Sequence, residues 1–412
     1  MSKTLGAKGF GGMSEESGNR LVVCVVGTRP EAVKMAPIIP ALKRVSGVEV
    51  RLVTTGQHRG LLDQALADFG LAADIDLDLM RPSQTLADLT SRALTGLTDV
   101  FAELAPSLVL AQGDTTTVLA SALAAYYQQI PFGHIEAGLR TGQPYRPFPE
   151  EKNRVLASHL ASLHFAPTDQ TRNNLVREGI DPGSIYVTGN SVIDALRITA
   201  NRSVPPTLEV KTPKFLLVTA HRRENHGKPL EHVCEALARL IERHPDLSVV
   251  FPVHPNPRVV EIVKPRLGQL DRVHLIDPQG YVEFVGLMKQ AFLILTDSGG
   301  LQEEAPALGK PVLVLRDETE RPEAILAGTA QLVGTDSAAI CEAVESLLSD
   351  ASRYARFQSV VNPYGDGWAA DRIARVIHRY LGLTPAALPE GVAEVWNSSV
   401  CDTYGKVVTK SL

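Results

Sequence analysis

Cysteine is scarce in this 412-residue sequence: Cys24, Cys234, Cys341 and Cys401 are its four, far apart and without a Cys-x-x-Cys pair. That spacing argues against a zinc site or a disulfide framework and points to a reducing, cytoplasmic setting. No apolar run approaches the ~20 residues that a membrane-spanning helix needs. The opening stretch, with Gly6, Gly9, Gly11 and Gly12, lacks the apolar core of a signal peptide. Basic excess is missing too. With 41 Lys and Arg against 46 Asp and Glu the net charge is -5, so no basic face is offered to nucleic acid. Any anionic ligand must be met by a local cluster. Two nucleotide fingerprints are also absent. After the first apolar run stands Gly27-Thr28-Arg29-Pro30 instead of the Gly-x-Gly-x-x-Gly of a nicotinamide cofactor. The Gly-x-x-x-x-Gly-Lys-Ser loop of a nucleoside triphosphatase does not occur.

What is present is a repeated alternation. The composition, 44% hydrophobic and 21% charged, is that of a soluble globular protein, and 412 residues exceed one ordinary core. Residues 21–26 are continuously apolar, the mark of a strand buried on both faces. Further strands are expected at 48–54, 108–112, 131–135, 163–166 and 185–188. Helical patterns lie between them at 61–69, 86–104, up to 128, 150–161, 168–178 and 192–199. Pro37 and Pro40 predict a break in the first helix. In 201–213 the pattern stops, and Pro205, Pro206 and Pro213 read as a linker. It resumes with strands at 215–219, 248–253, 273–276, 292–296 and 312–315. Such alternation predicts an α/β fold with parallel sheets covered on both faces. The expected organisation is a disordered Gly- and Ser-rich tail at 1–19, a first domain at 20–200, a linker at 201–213, and a second, nucleotide-binding domain at 214–361. An amphipathic helix at 368–382 is expected to join the first domain. The tail at 383–412 has no assignable place. The cleft between two such domains is the default ligand site.

Chemistry gathers at the strand ends. The loop from His134 to Arg154 follows an expected strand, is bracketed by Glu136 and Glu150, and carries Arg140 and Arg146. Acids and bases beyond a parallel strand suggest a reaction centre, although Glu150 and Glu151 also suit the first turn of a helix opened by Pro149. Arg29, Lys34 and Asp114 occupy equivalent places in the first domain. His221-Arg222-Arg223-Glu224-Asn225, His254 and Asp297-Ser298-Gly299-Gly300 do so in the second. Ser298, Gly299 and Gly300 open a helix whose free N–H groups suit a phosphate, with Glu304 about one turn in, within reach of ribose hydroxyls. A plain Ser N-cap accounts for the same residues. Arg29, Arg222, Arg223 and Arg321 can neutralise a diphosphate, or be ordinary surface arginines. His221 can donate to a phosphate or serve the fold, and Asp114 with its threonines is also a good helix cap.

Taken together these stretches resemble the non-hydrolysing UDP-N-acetylglucosamine 2-epimerases. The carriers are Gly27-Thr28-Arg29-Pro30-Glu31-Ala32-Val33-Lys34-Met35, Gly113-Asp114-Thr115-Thr116-Thr117, His134-Ile135-Glu136-Ala137-Gly138-Leu139-Arg140-Thr141 and Pro149-Glu150-Glu151. In the second half they are His221-Arg222-Arg223-Glu224-Asn225, Asp297-Ser298-Gly299-Gly300-Leu301-Gln302-Glu303-Glu304, Glu320-Arg321-Pro322-Glu323 and Asn362-Pro363-Tyr364-Gly365-Asp366-Gly367. The resemblance runs from about 21 to 382. It implies two Rossmann-like domains in the glycosyltransferase-B arrangement, with the active site in the interdomain cleft. It implies reversible C2 epimerisation of UDP-GlcNAc to UDP-ManNAc, through elimination of UDP to a bound 2-acetamidoglucal and re-addition. Asp114, Glu136, Glu150 and His221 are then the catalytic residues. Arg29, Lys34, His254, Phe284, Ser298, Gly299, Gly300, Glu304 and Arg321 hold UDP. Neither metal nor redox cofactor is implied, because UDP is both leaving group and returning nucleophile. A cytoplasmic homodimer is implied, with a nucleotide sugar as partner and neither nucleic acid nor membrane. A hydrolysing relative releasing ManNAc, and an epimerase of a modified UDP-acetamido sugar, share the pattern. One departure concerns the family's effector site for a second UDP-GlcNAc. Its Gln-His-Arg-Gln run reads Gln57-His58-Arg59-Gly60 here, and Ser83 stands where an arginine precedes Gln-Thr-Leu. The loss of both contacts predicts epimerisation without obligatory activation.

Overall fold

In the computed structural model, residues 20–56, 59–81, 83–202 and 208–398 are described. The expectations for the tail at 1–19, for Gln57, His58 and Pro82, for Pro205 and Pro206, and for the chain beyond 398 lie outside them. So do the side chains of Arg59, Leu61 and Arg223.

The first sheet holds β1 (Arg20–Val26), β2 (Val48–Thr54), β3 (Ile75–Asp76), β4 (Leu108–Gln112), β5 (Phe132–Ile135), β6 (Leu163–Ala166) and β7 (Ile185–Val187), in the order β3-β2-β1-β4-β5-β6-β7. The second holds β8 (Lys214–Thr219), β9 (Leu247–Pro252), β10 (Val273–Ile276), β11 (Leu293–Thr296), β12 (Val312–Val314) and β13 (Ala330–Leu332), in the order β10-β9-β8-β11-β12-β13. The described pairings are all parallel. Continuous apolar runs explain the central strands. Val22 to Val26, Leu108 to Ala111 and Leu216 to Val218 are buried on both faces, under helices. In each sheet the order reverses beside the first strand: β1 lies between β2 and β4, and β8 between β9 and β11. The crossovers diverge there, and the carboxyl ends of β1 and β4, and of β8 and β11, open onto crevices suited to ligands.

The proline break is real: a helix over Arg29–Met35 ends and another starts at Ile38–Leu42. Pro149 is the N-cap of the helix Glu150–Leu160 rather than its first residue, so the helix begins one residue later than a proline at its first position implies. β3 and β13, of two and three residues, are too short to leave a readable pattern. The helix Ala369–Tyr380 buries Ala370, Ile373, Ala374 and Ile377 in the same core as Ile38 and Leu42. Its free N-terminal amides, on Ala369 and Ala370, donate to Asp194 at 3.1 and 2.9 Å. The chain after it, unplaced from sequence, runs back over the first sheet as far as Ser398. Trp396 N donates to Val187 O of the edge strand β7 at 3.0 Å, its indole N–H to Pro363 O at 3.0 Å, and Arg372 Nε to Ala393 O at 2.9 Å.

Candidate active site

The turn after β1 begins with a close approach. A Cβ on Gly27 would stand 2.3 Å from Thr117 Oγ1 and 2.6 Å from Thr55 Oγ1, so no larger residue fits. Glu31 then accepts from the backbone N–H of Gly27 at 2.5 Å and of Thr28 at 2.9 Å, and from the Thr115 hydroxyl. Burial pushes its carboxyl up to about 7. One carboxylate thus ties the turn after β1 to the turn after β4. Arg29 opens the following helix and donates across the cleft to Gln279 O at 3.2 Å.

Asp114 follows β4 and takes an ion pair from Arg154, which is nearly buried in the helix Glu150–Leu160. Glu151, one residue past Glu150, accepts from the backbone N–H groups of Thr141 and Gly142 at 3.1 Å and so fastens the loop. Glu150 itself lies half-exposed at the start of the helix. No hydrogen bond or ion pair among the described residues joins it to Glu136 or Asp114. Arg140 is committed elsewhere, in two 2.8 Å bonds to Glu178, and Arg146 is exposed. The loop reaches the other sheet through Gln143, which donates to Glu318 at 3.1 Å. His134 is fully buried, bonded to Gly113 O at 2.7 Å, and burial lowers its pKa to about 3. It is a neutral structural histidine.

Glu136 follows β5 with φ +64°, a left-handed conformation that costs a side-chain-bearing residue roughly 1–3 kcal/mol and recurs at functional sites. Its carboxylate meets Lys34 in an ion pair and accepts from Asn190 Nδ2 at 2.6 Å. Asn190 Nδ2 also donates to Glu303 Oε2 at 2.5 Å, and Arg321 Nε donates to Glu303 Oε1 at 2.8 Å. The result is a buried row, Lys34–Glu136–Asn190–Glu303–Arg321, joining the two sheets. Burial opposes ionisation of Glu136, yet Lys34 and Arg321 outweigh it and hold its pKa down. Burial also opposes the charge on Lys34, and Glu136 and Glu303 override it, so that pKa rises. For Glu303 burial prevails and the pKa is raised, against Arg321 and Lys34.

On the second sheet, Asp297 follows β11 and accepts from the backbone N–H groups of His221 and Arg222, both at 2.8 Å. His221 Nδ1 lies 3.2 Å from Asp297 Oδ1, and its imidazole is exposed. The ring of His254 runs nearly parallel to it at 5.8 Å. Ser298 caps the helix Gly299–Ala307 with no side-chain bond to it, so its hydroxyl is not consumed there. A Cβ on Gly299 would stand 2.9 Å from Glu320 Oε1. Glu304 lies deeper, accepts from the Tyr281 hydroxyl at 2.8 Å, and is raised to about 7 by burial. Phe284 sits one turn into the helix Tyr281–Gln290, half-buried.

Of the four candidate arginines, Arg222 and Arg321 already carry acid partners. Arg321 pairs with Glu303 and Glu320, and Arg222 and Arg316 also pair with Glu320. Those three arginines hold the Glu320 carboxyl well below its usual range despite burial. Sequence reasoning assigned no role to Asn190, Glu303, Glu320, Tyr281, Glu31 or Arg154. Glu303 had the faintest signal, as the neighbour of Glu304. Among the described residues no group of three or more His, Cys, Asp or Glu is arranged to hold a metal ion, and no helix is long and apolar enough to cross a membrane.

Residues 40–378 match the protein family described as UDP-N-acetylglucosamine 2-epimerase. The chain is 51% identical over 367 residues to the UDP-N-acetylglucosamine 2-epimerase of Escherichia coli strain K12, covering 86% of this chain and 98% of that one. It is 48% identical over 363 residues to that of Bacillus subtilis strain 168, covering 88% and 96%. Among solved structures it is similar to a UDP-GlcNAc 2-epimerase from Neisseria meningitidis bound to UDP-GlcNAc, with a TM-score of 0.82 and 45% identity over 87% of this chain and 100% of that one.

Proposed function

The chain belongs to the UDP-N-acetylglucosamine 2-epimerase family, and on that premise we propose that it inverts C2 of UDP-GlcNAc to give UDP-ManNAc, reversibly and without releasing free sugar. The C2 proton is not adjacent to a carbonyl, so a base alone removes it slowly. If the C1–O bond to UDP breaks as the proton leaves, positive charge at the ring makes that proton acidic. Elimination gives 2-acetamidoglucal and UDP, both kept bound. Reprotonation of C2 from the opposite face and return of UDP to C1 give the epimer. The step balances without an external reactant.

The observation that carries this reading is the buried row of Lys34, Glu136, Asn190, Glu303 and Arg321, with a carboxylate between cations where the carboxyl ends of both sheets meet. An incoming diphosphate competes for Lys34 and Arg321. As they turn to phosphate, Glu136 loses the charges that depress its pKa, and its basicity rises once substrate is bound. Asp114 and Glu150 complete the acid and base set. His221, oriented by Asp297, hydrogen-bonds or protonates the departing phosphate. Ser298, Gly299 and Gly300 receive the diphosphate at a helix N-terminus. Glu304 accepts from the ribose, and Arg29, His254 and Phe284 complete the UDP site.

Incubation with UDP-GlcNAc in D2O, followed by proton NMR, tests the reading. The expected product is UDP-ManNAc carrying deuterium at C2. Free ManNAc with UDP would make the enzyme hydrolysing, and full retention of hydrogen at C2 would remove the elimination route. A cytoplasmic homodimer is proposed on kinship alone, and light scattering tests the dimer.

A further inference from the structure

Asn190 follows the edge strand β7 and caps the helix Ser191–Ala200, its Oδ1 accepting from Val192 N at 3.2 Å. Asn is a favoured cap, and that alone would explain it. The other end of the side chain does something a cap does not require. Its amide nitrogen donates to Glu136 Oε2 at 2.6 Å and to Glu303 Oε2 at 2.5 Å. Its backbone N–H goes to Tyr364 O at 2.6 Å, on the segment returning from the second sheet. The residue is 3% exposed, so water does not replace these partners. Glu136 belongs to the first sheet and Glu303 to the second. Two buried carboxylates repel, and the neutral group that satisfies both must carry two N–H donors. A serine supplies one, and an aspartate adds a third negative charge. The amide suits both the cap and the bridge.

We propose that Asn190 is a positioning residue for the reaction: it holds the Glu136 carboxylate at the angle and charge state needed beside C2, and registers it against Glu303 and the Arg321 phosphate site across the cleft. This rests on the epimerase reading. The groups facing Glu136 are Lys34 from the helix Arg29–Met35, Glu303 from the helix Gly299–Ala307, Arg321 and His134. Of the partners bonded to the Glu136 carboxylate, Asn190 is the neutral one, so changing it alters the hydrogen bond without removing a charge.

The test is Asn190→Ser and Asn190→Asp, both good helix caps. UDP binding and melting report the fold, and the pH profile of kcat reports Glu136. Asn190→Ser is expected to bind UDP within about threefold of wild type and to lose roughly 10- to 100-fold in kcat, the scale of a misplaced reacting group. Loss of a donor to the ionised form raises the Glu136 pKa, so the acidic limb of kcat moves to higher pH. It moves further in Asn190→Asp, which adds a carboxylate. Folded variants with unchanged kcat and limb overturn the proposal. So does a rate loss with an unmoved limb, or failure of both variants to fold, since either assigns Asn190 to the scaffold. The product made by wild type is read separately. If that product is not UDP-ManNAc, the epimerase reading fails, while the ratio of variant to wild type still reports on Asn190.

Discussion

Replacing Glu136 by Gln separates catalysis from binding at one position. The carboxylate accepts from Lys34 and from Asn190, the latter at 2.6 Å, while almost wholly buried. Both donors meet the same oxygen, Oε2, so the Gln amide oxygen can keep both contacts, and what the substitution removes is the negative charge. Turnover is expected to fall at least ~100-fold, the usual scale for a positioned acid or base. UDP binding moves the other way. Lys34 no longer has Glu136 as counter-charge and is free for phosphate. A charge-assisted bond contributes about 1.5–3 kcal/mol, and part of it survives to the Gln oxygen, so UDP should bind about threefold to tenfold tighter at ~1.4 kcal/mol per decade. The fold should weaken, because a buried cation has lost its partner, a change of roughly 3–5 kcal/mol when uncompensated and less here, since Glu303 also faces Lys34. Calorimetric titration with UDP and chromatographic assay of UDP-ManNAc measure the two effects. A variant with near-normal turnover and lost UDP binding would refute the assignment of Glu136 to the sugar and Lys34 to the phosphate.

Glu150→Gln should also cut turnover at least ~100-fold with little change in UDP affinity; an unaffected rate would make Glu150 a helix-start acid only. Gly27→Ala forces a methyl to within 2.3 Å of Thr117 Oγ1, and overpacking of that kind costs about 1–3 kcal/mol, so a melting temperature within a degree of wild type would contradict the described turn. Burial raises Glu31, Asp194 and Glu304 to about 7; groups raised in the folded state stabilise it below their unfolded pKa and lose that contribution as pH climbs to about 7, so melting should be lower at pH 8 than at pH 5.5. A profile rising throughout that window would oppose the assignment. Because ribose hydroxyls bond best to an ionised Glu304, UDP affinity should rise between pH 6 and pH 8, and a flat dependence would detach Glu304 from the ribose. Starting from pure UDP-ManNAc, turnover should begin at once if Gly60 and Ser83 stand where the family resemblance places effector contacts; a lag abolished by trace UDP-GlcNAc would show that activation persists.

How far the sequence reaches is set by the range of the interactions. The long buried strands were legible because a parallel strand covered on both faces writes itself as consecutive Val and Leu, as in β1 and β8. The candidate acids were legible because topology sends the end of every parallel strand to the same edge, and Glu136 and Asp297 each stand one residue past such a strand. β3 and β13 were not, since two or three residues hold no period. The partners of the site residues were hidden for a different reason. Asn190 and Glu303 are 113 positions apart, and nothing local in Gly189-Asn190-Ser191 distinguishes a cap from a cap that also bridges two carboxylates. Glu303 and Glu304 are adjacent, yet successive helical residues point about 100° apart. One therefore faces Arg321 and the other Tyr281, and only the packing of the two sheets says which. The same packing pairs Arg222 and Arg321 with acids. If Lys34 and Arg321 receive the diphosphate as proposed, UDP enters by exchange, displacing the carboxylates that already neutralise them. Binding and the release of Glu136 as a base are then one event, and the site gains basicity only when the leaving group is in place.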